Sequence, residues 1–169
     1  MTFNFTRTGT SSRQIATPYF EDARANIAPY YAAKQTLDAA KTSVRQALAI
    51  LGAGEIFFDE GFVTDKDGRK RYGYMVNFTY AGQNGVLRVF GLPMRSETAR
   101  KTEATRIQAL LVTRDQLKAA ITAQVFNPGS DPLIPHLLAD GSRTVIEYIE
   151  QQRQLPARNP HILVEKVES

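Results

Sequence analysis

"RKRYGYMVNFTYA", residues 69–81, alternates without a break. Tyr72, Tyr74, Val76, Phe78 and Tyr80 fall on one side of an extended chain, and Arg71, Gly73, Met75, Asn77 and Thr79 on the other. Period two held over this length predicts a strand with one buried, aromatic face. Upstream, "EIFFDEGFVT" (55–64) predicts a second strand, joined to the first through "DKDG" (65–68), whose Asp and Gly tolerate hairpin angles. Downstream, "GQNG" (82–85) predicts another turn and "VLRVFGL" (86–92) a third strand, ended by Pro93, which cannot donate to a ladder. The alternating strand is thus the middle of an antiparallel meander. Its aromatic face needs a cover, because three strands alone bury too little.

The flanking segments supply helices. Over 31–51, Leu37, Ala40, Val44, Ala47, Leu48 and Leu51 form one stripe, while Lys34, Asp38, Lys41 and Arg45 lie off its centre. Gly52 and Gly54 follow as a helix stop. After the strands, Ser96 has the chemistry of an N-cap for a helix over 97–126, although Ala99 three residues on leaves no capping box. Ile107, Leu110, Leu111, Leu117, Ile121 and Val125 make its apolar stripe, and Arg114 falls inside that stripe. Two arrangements accommodate it: one long helix with Arg114 snorkelling, or a break at Thr113, which has capping-box spacing to Gln116.

The fold class expected is therefore α+β, a three-stranded antiparallel β-meander flanked by helices in α-β-β-β-α order, with a helical C-terminal extension. Residues 1–18 read as a flexible N-terminal arm, with "TFNFT" able to form a short strand, and 19–155 as a single domain. Within it, 19–31 predicts a helical turn or two packing its tyrosines, broken by Pro29. Residues 132–156 predict two short helices divided at Asp140–Gly141. Residues 156–169 form a tail or an added edge strand.

Hydrophobic residues are 43% of the 169 and charged residues 22%, ordinary values for a globular protein. The absence of cysteine excludes disulfides, thiolate metal sites and cysteine nucleophiles, and fits a reducing compartment. No apolar run approaches the roughly 20 residues a bilayer span requires, and the N-terminus lacks the apolar core of a secretory signal. A cytoplasmic location without membrane partners is expected. Charge is unevenly spread. Residues 66–118 hold eleven Lys/Arg against four Asp/Glu, and the remaining ten basic residues face thirteen acidic ones.

The order helix, three antiparallel strands, helix opening with Arg100 and Lys101 resembles the double-stranded-RNA-binding domain over residues 31–126. The resemblance implies that Arg100 and Lys101 grip phosphates from the first turn of the second helix. The family's glycine-flanked Ser-Lys-Lys approach is replaced here by "GLPMRSETARK", and the first helix has no evident groove-reading Glu. Independently of the family, basic side chains at a helix N-terminus and beside a hairpin turn suit an oligoanion. Arg69, Lys70, Arg71, Arg88, Arg95, Arg100, Lys101 and Arg106 are the expected phosphate contacts, with DNA or RNA as partner. A small oligomeric scaffold, with "HILVEKV" (161–167) adding a strand to a partner sheet, is the alternative.

No catalytic, metal or cofactor site is expected. Asp59 and Glu60 are adjacent on a strand and point to opposite faces. Glu103 with Asp59 lacks the further acid of a metal cluster. His136 and His161 have no ligand spacing, and "GAG" (52–54) precedes a strand rather than the helix a phosphate loop needs.

Overall fold

The structure, a computed structural model, describes residues 16–24 and 26–154. The alternating segment forms β2 (Lys70–Tyr80), which lies between β1 (Gly54–Thr64) and β3 (Gln83–Phe90), antiparallel to both. Tyr74, Val76 and Phe78 are buried, while Tyr72 and Tyr80 at the ends of the same face are half-buried. Opposite them on β3 stand Val89, Leu87 and Gly85. The Phe78 ring fills the space of a Gly85 side chain, since a Cβ there would meet it at 2.4 Å.

The first hairpin turn is the predicted one. Asp65 accepts from the backbone N–H groups of Asp67 and Arg69, each at 2.9 Å, and Gly68 takes a positive φ of 76°. The second turn is tighter than expected. Tyr80 pairs with Gln83 around Ala81 (φ 50°) and Gly82 (φ 74°), a two-residue hairpin of the primed type that matches strand twist. β3 therefore runs from Gln83 to Phe90 rather than over 86–92.

Helices α1 (Leu37–Ile50) and α2 (Ala99–Phe126) pack against each other over the aromatic face of the sheet. α1 begins six residues later than predicted, because Thr36 is extended and its hydroxyl accepts from Ala39 N–H at 3.2 Å. Its buried residues are the predicted Ala40, Val44, Ala47 and Leu48. α2 is one helix. Thr113 caps nothing and donates instead to the Ala109 carbonyl at 2.9 Å. The N-cap is Thr98, which accepts from Lys101 N–H, and not Ser96.

Arg114 stays in the stripe because the segment before α1 folds under it. Its guanidinium lies 5.3 Å from the Tyr30 ring centre and donates to Tyr30 Oη and Asp115 Oδ1, each at 2.8 Å. At 1.5 Å per residue, the 28-residue α2 runs about 42 Å, well past the eight-residue β3. Val125, expected on the buried stripe, lies in that overhang and is 76% exposed.

Before α1, a 3-10 turn (Phe20–Asp22) docks through Phe20 N–H to the Pro93 carbonyl at 2.8 Å, and Phe20 stacks on Tyr31. After α2, the first predicted helix is only a 3-10 turn (Ile134–His136), followed by α3 (Val145–Gln154). Between them Leu138 N–H reaches the Asn84 carbonyl at 2.9 Å, beginning a fourth strand position on the free edge of β3. The expected strands at "TFNFT" and 161–167 lie outside the described residues. Among the described residues no helix is long and apolar enough to cross a membrane.

Candidate nucleic-acid interface

The α2 N-terminus and the β1–β2 hairpin share one end of the sheet, because α2 runs back along the sheet after β3. This brings Arg69, Arg95 and Lys101 around the 3-10 turn. Arg69 and Arg95 stand 5.1 and 4.7 Å from the Tyr19 ring centre. Arg95 pairs with Asp22 at 2.5 Å, Lys101 with Glu21 at 3.1 Å, and Arg69 with Asp65 at 2.9 Å. Each is paired with an acid of this chain, and together they hold residues 17–22 against the domain, with the Arg95–Asp22 pair at the surface.

Glu21 is the centre of that clamp. Burial alone would raise its pKa, but backbone N–H donors from Arg95 and Ser96 together with the Lys101 ammonium outweigh it, taking the carboxyl from 4.5 down to about 2. A depressed folded-state pKa stabilises above 4.5, and that stabilisation fades as pH falls toward 2. Glu21→Gln should therefore lower the melting temperature at neutral pH by roughly 3 °C, for about 1 kcal/mol of charge-assisted bonding removed. It should also flatten the decline of stability below pH 4.5. Thermal melts across pH 2–7 check both; an acid profile as steep as the wild type's would remove Glu21 from this role.

The other expected residues separate. Arg88 leaves the basic end and pairs with Glu147 of α3 on the outer face of the sheet. Arg71 is half-buried, donating to the Gly91 carbonyl at 2.8 Å and the Phe90 carbonyl at 3.2 Å, and burial pulls its guanidinium below the ordinary value. Arg100 is exposed at the rim of a hollow it shares with Lys34 and Lys101.

Lys70 and Arg106 belong to a different arrangement. On the inner face of β1 and β2, α1 only lightly covers the β1 side, so Phe62 stays exposed and Phe58 and Tyr72 half-buried beside a fully buried Tyr74. Each ring carries a cation. Arg45 lies 5.2 Å from the Phe58 ring centre, Lys41 4.7 Å from Tyr74, Arg106 5.6 Å from Tyr72, and Lys70 4.9 Å from Phe62. Phe62 is 53% exposed, and it meets Tyr72 with ring centres 5.7 Å apart. Carboxylates interleave: Glu60 pairs with Arg106 at 2.8 Å and Glu97 accepts from Tyr72 Oη at 2.8 Å. At the floor, the Tyr74 hydroxyl is buried without a partner among the described residues, and its pKa is pushed up to about 12, first by burial and then by Glu60.

Lys41, Arg45, Phe58 and Phe62 were not among the residues expected to touch phosphate or base. Lys41 and Arg45 are one helical turn apart beside the α1 stripe, a signal visible in the sequence, but their position over β1 depends on how α1 crosses the sheet. No protein-family model, no curated protein and no solved structure matches this chain.

Proposed function

We propose that this is a non-catalytic nucleic-acid-binding domain, and that it engages single strands along the aromatic row of β1 and β2. The observation that carries the reading is the row of cation-bearing rings from Arg45 to Lys70, in which Phe58, Tyr72 and Phe62 reach solvent and Tyr74 forms the floor. Bases stack on rings without sequence preference, and cations at ring spacing follow the phosphates between them. Of the residues expected from sequence, Lys70 and Arg106 lie in this row, and Arg100 remains accessible near the same end of the fold. Arg69, Arg95 and Lys101 serve the clamp, and a strand would have to displace Asp65, Asp22 or Glu21 to use them.

Fluorescence anisotropy with a labelled single-stranded oligonucleotide and its duplex tests the proposal. Phe62→Ala should weaken single-strand binding by roughly tenfold, within the 1–3 kcal/mol of one stacked base. Lys41→Glu/Arg45→Glu should weaken it further and reduce the salt slope by about 0.7 for each phosphate left without its cation. Glu60→Gln should strengthen it, an effect that a purely structural role for the pair would not produce. Binding absent at low salt, or equal in wild type and Phe62→Ala, would end the proposal.

A further inference from the structure

The free edge of β3 opens into a slot of about 360 Å³, walled by α2 and by residues 27–29. That volume lies in the range of sites built for a ligand, about 300–1,000 Å³. Its edge is a row of strand backbone. Gly91 N–H bonds inward to the Tyr72 carbonyl, whereas the Asn84 carbonyl points outward and takes Leu138 N–H. Alternation then directs the backbone of Arg88 and Phe90 outward, where the Phe90 carbonyl accepts from Arg71 and the two N–H groups face the slot. The fourth strand position begun at Leu137 and Leu138 stops at Asn84–Gly85, so the Arg88–Phe90 stretch has no strand beside it among the described residues.

Two side chains define what would fit. Gln108 is 3% exposed; its amide nitrogen donates to the Pro29 carbonyl at 2.9 Å, and its oxygen, the group left over, is buried without a donor among the described residues. An acceptor in that state calls for an N–H from an occupant. Arg71 also borders the slot, bonded only to carbonyls, with no carboxylate within 4.0 Å among the described residues. Asp65 acts on it only from beyond ion-pair distance, so the half-buried guanidinium can take a further anion. Val89, Ala109 and Val112 supply the apolar wall.

We infer that this slot binds a short extended peptide carrying an acidic side chain, which would add to β3 as a fourth strand. The strand edge supplies main-chain pairing, the apolar wall takes one side chain, Gln108 accepts one N–H, and Arg71 meets the carboxylate. The site is separate from the aromatic row, so failure of either proposal leaves the other standing.

The test uses the full chain labelled with ¹⁵N and two capped peptides, Val-Glu-Val-Glu-Val and Val-Lys-Val-Lys-Val, with benzoate as a small-acid probe. The acidic peptide should shift the Arg88 and Phe90 amides and slow their hydrogen exchange, and the basic peptide should not. Arg71→Gln should weaken the acidic peptide by about tenfold, while an unchanged spectrum elsewhere shows that the variant is folded. Hydrogen exchange on the wild-type chain reads the strand addition without any variant. Equal response to both peptides, no response at β3, or a response to benzoate alone would overturn the inference.

Discussion

Gly73→Ala should destabilise the domain by about 3 kcal/mol or more, at or above the upper end of an overpacked site and a large part of the total stability of an ordinary domain. A Cβ built at Gly73 would stand 1.9 Å from the Val89 carbonyl oxygen and 2.7 Å from Phe90 Cα. Both belong to the backbone of the neighbouring strand, so no rotamer change relieves the clash. β2 and β3 would have to separate at the point where Gly91 N–H reaches the Tyr72 carbonyl and where Arg71 caps the end of β3. Gly61, the β1 partner of Gly73, is the control: nothing lies within 4 Å of a Cβ there, and Gly61→Ala should be neutral or mildly stabilising. Urea denaturation of the two variants decides the matter. Equal losses would mean that general strand propensity, and not the close approach of β3, governs this row.

Leu110→Ala should cost about 3–5 kcal/mol, the range for a leucine whose removal leaves a cavity the surroundings do not fill. Leu110 is wholly buried on α2, in the cluster formed with Val44, Leu48 and Val76, so the void would open where α1, α2 and the sheet meet. Val125→Ala on the same helix should change stability by under about 0.5 kcal/mol, as an exposed substitution does. Chemical denaturation of both variants measures the difference. The periodicity of the sequence puts both residues on one stripe. A large loss at Val125 would mean that the overhang of α2 is packed in solution, against this chain or another copy of it.

The meander was legible because period-two alternation from Tyr72 to Tyr80 admits few other structures, and because turn chemistry stands on both sides of it. The α1 stripe was legible for the same kind of reason. The boundaries that moved did so through local backbone facts that a pattern does not carry. Positive φ at Ala81 as well as Gly82 tightens the second hairpin, and an extended Thr36 delays α1. Arg114 is a different case. Periodicity showed the conflict, and only a residue 84 positions away, Tyr30, resolves it.

By itself the sequence determined the α-β-β-β-α order, the face of β2 that is buried, and the excess of basic residues between 66 and 118. Those are consequences of local periodicity and composition. What each basic residue does was decided by tertiary structure alone. Arg69, Arg95 and Lys101 meet acids of nearby and distant turns, Arg88 meets α3, and Lys70 and Arg106 come to rest on rings beside Lys41 and Arg45. The physical reason is range. Patterning acts between residues a few positions apart, whereas the partner of a charge is whatever the folded chain brings within about 4–6 Å of it.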